Sequence, residues 1–100
     1  MRFLVIAKVY PTLVGKEADQ GLRQALGPQF GKILASGRVQ ESGFLAGTRG
    51  AFFVLEIENS DELYTILGPE VYAHAEVQAY PVIPMQRGAE IFQQWTDEGR

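Results

Sequence analysis

The chain contains no cysteine and only one histidine among its 100 residues. The absence of cysteine excludes disulfides and thiolate-bound zinc, and a single histidine leaves only carboxylates as further metal ligands. We therefore expect no metal ion and no cofactor. Nine basic residues stand against twelve acidic ones, so the chain also lacks the clustered positive charge that a nucleic-acid groove requires.

Long apolar segments and two common nucleotide and hydrolase motifs are missing as well. The apolar run over residues 3–7 ends at Lys8, which makes it shorter than a signal-peptide core or a membrane span. We therefore expect a cytoplasmic protein without membrane contact. Neither a Gly-Lys-Ser/Thr phosphate loop nor a Gly-x-Ser-x-Gly nucleophile turn occurs.

The sequence does contain the pattern of one small α+β domain. Strands are predicted over residues 2–10, 38–46, 51–58 and 75–83, where β-branched and aromatic residues are frequent. A helical stripe runs over residues 18–34, with a kink or a break expected at Gly27–Pro28. A shorter helix begins at Asn59 or Ser60 and ends at Gly68–Pro69. The order βαββαβ predicts a ferredoxin-like fold, a four-stranded antiparallel sheet with two helices on one face.

The second face of this sheet is predicted to be apolar and uncovered. Because successive strand residues point to opposite faces, Leu4 and Ile6 share this face with Phe52 and Val54. Two helices cover only one face, so we expect a homodimer with its sheets packed face to face. The alternative is that the tail, residues 84–100, folds over its own sheet; it could also reach the partner subunit.

Four stretches carry a resemblance to known proteins. They read Phe-Leu-Val at residues 3–5, Ala-Ser-Gly at 35–37 followed by a strand to Ala46–Gly47, FVLEIENSDEL at 53–63, and Tyr-Pro-Val at 80–82. Residues 1–83 thus resemble the dimeric α+β barrel superfamily, and within it the muconolactone isomerase-like and YCII-related small proteins. The resemblance implies a homodimer, or a larger ring of dimers, with a ligand cavity between helices and sheet or inside the barrel.

The second strand departs from those families. Muconolactone isomerases typically carry arginine and tryptophan there, whereas this chain has Gln40, Gly43 and Phe44. The histidine–aspartate pair that is usual in YCII-related proteins has no counterpart that we can place.

Three side chains are candidates for proton transfer. His74 is the one side chain expected to titrate near neutral pH without a shift, and Glu76 could orient it if both face the same side of the strand. Glu56 follows apolar residues on its face and would have a raised pKa inside a closed barrel. The alternatives are a surface histidine and solvated carboxylates, with Lys8 forming a cross-strand ion pair with Glu56.

A second set of side chains could bind a small ligand. Tyrosines offer phenolic hydrogen bonds, although aromatic packing is their commoner role. Arg38 and Arg49 could hold a carboxylate bidentately, although Arg49 is equally an exposed turn residue. The candidate ligand-binding residues are Lys8, Arg38, Gln40, Phe44, Phe52, Tyr72 and Tyr80.

Three functions remain open from the sequence. The first is binding or isomerisation of a small, partly apolar metabolite by acid–base proton transfer. The second is a cofactor-free or haem-linked monooxygenase, for which His74 would be the haem ligand. The third is a non-catalytic ligand-binding or assembly module.

Overall fold

The computed structural model describes residues 1–98 and has the predicted ferredoxin-like α+β fold. The elements are β1 (Arg2–Val9), α1 (Lys16–Ala35), β2 (Val39–Phe44), β3 (Gly50–Glu56), α2 (Ser60–His74), β4 (Ala75–Val82) and α3 (Met85–Glu98). The four strands form one antiparallel sheet in the order β2-β3-β1-β4. Helices α1 and α2 pack on one face of it, and α3 follows β4.

The core lies between the sheet and the two helices, and the alternation of the strands determines which residues enter it. Val5 of β1 and Leu55 of β3 are fully buried, as is Ile33 of α1. The ring of Phe30 meets that of Phe53 edge to face at 5.5 Å between centroids, a favoured aromatic geometry. The predicted division of strand residues between the two faces is confirmed.

Helix α1 continues through Gly27–Pro28 as one element of 20 residues, so the predicted break is wrong. Proline removes the hydrogen bond to the carbonyl four residues earlier, here that of Gln24. Gln24 and Pro28 are both exposed, so that carbonyl oxygen can bond water instead. Burial of Leu26 and Ile33 on the opposite side then favours a continuous helix.

The helix predicted to end at Gly68–Pro69 is interrupted there, and α2 consists of two helical segments that meet at this kink. Another side chain supports the joint between them. Gly68 has φ 76° and ψ 167°, and the helix resumes after it and runs to His74. The side-chain amide of Gln29 on α1 donates to the carbonyl oxygens of Leu67 at 2.9 Å and Ile66 at 3.4 Å. These carbonyls precede the break, and Gln29 satisfies them in place of the missing helical donors.

The face of the sheet away from the helices is apolar at its centre and charged at both ends. Strand pairing places Ile6 between Phe52 and Gln78, and Leu4 between Val54 and Tyr80. The four apolar residues are half-buried in the single chain. Beyond them, Arg2 lies opposite Glu56 at one end, and Lys8 lies opposite Glu76 at the other. We call Leu4, Ile6, Phe52 and Val54 the open-face cluster.

The two edges of the sheet are irregular. In β2 the register shifts between Val39 and Glu41, so that Gln40 is an extra residue in the pairing with β3. In β4 the strand contains Pro81, which has no N–H to donate. A bulge and a proline are common at sheet edges.

Helix α3 extends away from the rest of the chain. None of its described residues is buried, and Phe92 and Trp95 are each 67% exposed. The radius of gyration is 16.8 Å, whereas a compact chain of this length has about 13 Å. The tail therefore does not fold over its own sheet. Within residues 1–98, no helix is both long and apolar enough to cross a membrane.

Candidate ligand-binding site

A cavity of about 400 Å³ lies between the sheet and the helices, on the buried face of the sheet. It occupies the end of the sheet where β1 ends and β3 begins. Strands supply its floor and helices its roof, while the β2–β3 connection closes one side. The lining residues are Ala7, Val9, Leu26, Phe30, Phe44, Leu45, Thr48, Arg49, Gly50, Val71 and Ala75.

The cavity exists because small residues coincide at this end of three strands. Ala7 pairs with Ala51, and Val9 pairs with Ala75. At the other end of the same face, Phe3 and Leu55 occupy the equivalent space. Gly50 must be small, because a Cβ atom there would overlap the carbonyl oxygen of Ala7 and meet a methyl of Leu45 at 3.0 Å.

Arg49 is the one ionisable side chain among the described lining residues, and Thr48 supplies the other polar side chain. The backbone of Arg49 is fixed because its carbonyl oxygen accepts from the N–H of Val9 at 2.9 Å. Its Nη1 lies 3.2 Å from Oδ1 of Asp19 on α1, and its Nη2 donates to the carbonyl of Leu13 at 2.6 Å. Arg49 thus connects the β2–β3 turn to α1 and to the β1–α1 loop.

A smaller cavity of about 130 Å³ adjoins the first along strand β2. The two share Phe30 and Phe44 as lining residues. Phe44 is 82% exposed, so it lies at the entrance to both. Leu34, at the outer side of the smaller cavity, is also exposed.

The histidine predicted as a base does not line this cavity. The Nδ1 atom of His74 lies 2.8 Å from the carbonyl oxygen of Glu70 one turn earlier, and because a carbonyl only accepts, Nδ1 carries the hydrogen. The carboxylate within 4 Å of the ring is that of Glu70, at 3.9 Å. Glu76 forms no ion pair with His74 in the described chain, so the predicted pairing is not formed. Nor does His74 offer the cavity an axial ligand for haem.

Glu56 and Lys8 lie at opposite ends of the open face, so the predicted ion pair between them is wrong. Glu56 is opposite Arg2, and Lys8 is opposite Gly50 and Glu76. Six residues of strand separate the two positions along β1, roughly 20 Å at about 3.3 Å per residue. Glu56 instead contacts the amino group of Met1 at 3.2 Å and Nε of Arg2 at 3.8 Å.

Of the predicted ligand-binding residues, Phe44 is the one that lines the cavity. Arg38 lies before β2 and pairs with Glu62 at 2.9 Å, while Gln40 occupies the bulge. Lys8, Phe52 and Tyr80 belong to the open face with Glu76.

Tyr72 lies elsewhere on α2, where its ring stacks on that of Tyr64 at 4.8 Å between centroids. Burial raises the pKa of Tyr72, and the neighbouring Tyr64 phenol raises it further. A phenol with a raised pKa stays protonated and can donate a hydrogen bond. The two stacked rings pack against each other on the outer side of α2 and do not line the cavity.

The described chain brings no three histidine or carboxylate side chains together as a metal site. The sequence does not predict the cavity floor, although Ala7, Gly50 and Ala75 stand in it as small residues at strand ends. Their proximity depends on the register between strands. The sequence leaves two roles open for Arg49, and its position among the lining residues favours the ligand-binding one.

Comparison with known proteins identifies a shared fold. No family model matches this sequence, and no curated protein matches it by sequence. A solved structure that does match is 5-chloro-2-hydroxyhydroquinone dehydrochlorinase from Burkholderia phenoliruptrix AC1100, in complex with 2,5-dihydroxybenzoquinone. The TM-score is 0.65 at 15% sequence identity, covering 83% of this chain and 94% of that one. At this identity the likeness establishes the fold alone.

Proposed function

We propose that the protein is a homodimer that binds a compact, largely apolar metabolite in the cavity between its sheet and helices. The observation that carries the proposal is the cavity itself, whose lining is almost entirely apolar and includes one cationic residue, Arg49. Ligand pockets in proteins have volumes of about 300–1,000 Å³ and few polar groups. At about 400 Å³, this cavity suits a ligand with a single ring. The similar dehydrochlorinase was solved with such a compound, a dihydroxybenzoquinone.

The open-face cluster supports the dimer. Its apolar centre with charges at both ends corresponds to the usual plan of an interface, an apolar core within a polar rim. Burial of the exposed third or less of these four side chains on each of two copies contributes about 4–8 kcal/mol, at about 0.5–1 kcal/mol each. Association costs about 4–15 kcal/mol, so the sheet face alone gives at best a weak dimer.

Helix α3 supplies the additional contact. Its apolar residues, among them Met85, Phe92 and Trp95, recur at helical spacing along one side, while Gln93 and Gln94 lie on the other. Burial of the exposed two thirds of Phe92 or Trp95 in the interface contributes about 3 kcal/mol for each ring to the free energy of dimerisation. We place α3 on the partner subunit, since its own chain leaves it uncovered.

Trp95 is the sole tryptophan and therefore reports on the dimer. In sedimentation at micromolar concentration we expect about twice the 11.1 kDa chain mass, with tryptophan emission that moves to longer wavelength on dilution. Ile6→Arg and Phe92→Glu should both give monomers with red-shifted emission. Gln20→Arg on α1 and Gln93→Glu on α3 are matched controls that should keep the mass. A monomeric wild-type chain would contradict the dimer.

Ligand binding is tested by filling the cavity. Ala75→Leu places three additional carbon atoms in the floor, whereas Ala73→Leu makes the same change on the exposed side of α2. We expect Ala75→Leu to weaken binding of 2,5-dihydroxybenzoquinone, followed by NMR titration, at least tenfold, with Ala73→Leu unchanged. Circular dichroism checks that both variants are folded. Equal binding by the two variants would show that the probe binds elsewhere.

The cavity favours binding over proton transfer. Its described lining holds no histidine, carboxylate or phenol, and a general base must lie within hydrogen-bond reach of the proton it removes. Isomerisation therefore requires a base from outside the described lining. Conversion of a bound ligand, followed by NMR over hours, would support an isomerase.

A further inference from the structure

We infer that Arg49 anchors the carboxylate of a small apolar monocarboxylic acid, and that this carboxylate replaces Asp19 on the guanidinium group. The inference rests on the proposed function, because it names the class of ligand for the same cavity. It is carried by the contacts of Arg49 and by the absence of other ionisable side chains from the described lining.

The contact between Arg49 and Asp19 is weak enough to be exchanged. The side chains are 43% and 56% exposed, and one oxygen of Asp19 lies 3.2 Å from Nη1. An exposed ion pair of this kind contributes little to stability, because water solvates both partners almost as well. Asp19, once released, stays on the exposed side of α1 and recovers its hydration.

A ligand carboxylate gains more from Arg49 than Asp19 does. Guanidinium carries five N–H donors, and carboxylates bind it best through two parallel hydrogen bonds. In the described structure Arg49 donates one bond to Asp19 and one to the carbonyl of Leu13. A carboxylate whose apolar body fills the cavity excludes water from one side of the pair, which strengthens the attraction.

The charge of the site limits the ligand to one carboxylate. No second cationic side chain lines the cavity within residues 1–98, so a second carboxylate would be buried unpaired or would have to remain in water. The hydroxyl of Thr48 can add one neutral hydrogen bond. A single-ring acid such as benzoate or cyclohexanecarboxylate fits these conditions.

The experiment compares benzoate with its neutral analogue benzyl alcohol by NMR titration of the full chain. We expect Arg49→Gln to weaken benzoate about tenfold or more, since a charge-assisted bond is lost, and to change benzyl alcohol less than twofold. Asp19→Asn should strengthen benzoate by several-fold, because the competing carboxylate is gone. Arg23→Gln, an exposed arginine on α1, should change neither.

The outcomes separate this inference from the proposed function. Binding of both probes with no effect of Arg49→Gln on benzoate would overturn the role of Arg49 and leave the cavity as a neutral site. Weaker benzoate binding in Asp19→Asn would overturn the exchange, because it would mean that Asp19 helps Arg49 to bind. If benzoate, cyclohexanecarboxylate and benzyl alcohol all fail to bind, both the inference and the proposed function fail.

Discussion

Replacing Gly68 with alanine should destabilise the protein by about 2–4 kcal/mol. The φ of 76° and ψ of 167° fall in a region that is essentially restricted to glycine, where other residues lose about 1–3 kcal/mol. A Cβ atom would also lie 2.5 Å from Nε2 of Gln29, so the Gln29 amide must move. Loss of its bond to the carbonyl of Leu67 adds about 1 kcal/mol.

Gln29 gives the prediction an internal control. In a Gln29→Ala background the amide is absent. Gly68→Ala should then lower the free energy of unfolding only by the part that comes from the backbone conformation of residue 68. The two substitutions should therefore be less harmful together than the sum of their separate effects, by about 1 kcal/mol. Urea unfolding followed by circular dichroism measures all four chains, at one protein concentration because a dimer's stability depends on it.

Gly31→Ala provides the matched comparison. Gly31 lies within α1 and a Cβ atom there would meet nothing within 4 Å. Alanine is favoured over glycine in a helix by about 1 kcal/mol, so this variant should gain stability. Gly68→Ala variants as stable as the wild type, or additive effects with Gln29→Ala, would refute the account of the joint.

Three further substitutions test local features of the fold and the site. Asn59→Ala should lower the free energy of unfolding by about 1 kcal/mol in urea titrations, because its Oδ1 accepts from the N–H of Glu62 at 2.9 Å; full stability would contradict the cap. The pKa of Tyr72 is raised in the folded state, so the stability this group contributes is present below pH 10 and is lost as the pH rises through the folded pKa. Urea midpoints measured between about pH 9 and 11, on either side of the ordinary tyrosine pKa, should fall less steeply in Tyr72→Phe, and equal slopes would count against the assignment. Glu56→Gln should leave probe binding unchanged in NMR titrations, since its contacts are with Met1 and Arg2.

The sequence was sufficient to predict features that depend on local periodicity. Alternation assigned Phe53 and Leu55 to the core face and Phe52 and Val54 to the open face, and the element order gave the fold. These predictions need no distances between segments, because each strand carries its own pattern. The helix predicted over residues 18–34 and the interruption at Gly68 both agree with the structure. A break at Gly27–Pro28 is wrong, and the helical segment after Gly68 is not predicted, because burial against the sheet favours helix where local propensity does not.

The site could be predicted only in part, because it depends on register. Strands β1 and β3 are not joined by a hairpin, so no turn fixes which residues are opposite each other. For that reason the sequence does not show that Arg2, and not Lys8, is opposite Glu56. Nor does it show that Ala7 is opposite Ala51, a pair of small residues beside the cavity. Phe44 is a candidate from the sequence because it lies in the second strand, where the muconolactone isomerases that the sequence resembles typically carry arginine and tryptophan.

The irregular edges of the sheet restrict how copies of this chain can aggregate. A regular edge strand presents unpaired backbone groups that can template another strand and lead to fibrils. The extra residue at Gln40 makes the edge strand β2 irregular, which hinders pairing with another strand. In the other edge strand, β4, Pro81 lacks an N–H donor. Sideways addition of strands is therefore disfavoured on both sides, and the homodimer that we propose uses the broad surface between the two edges.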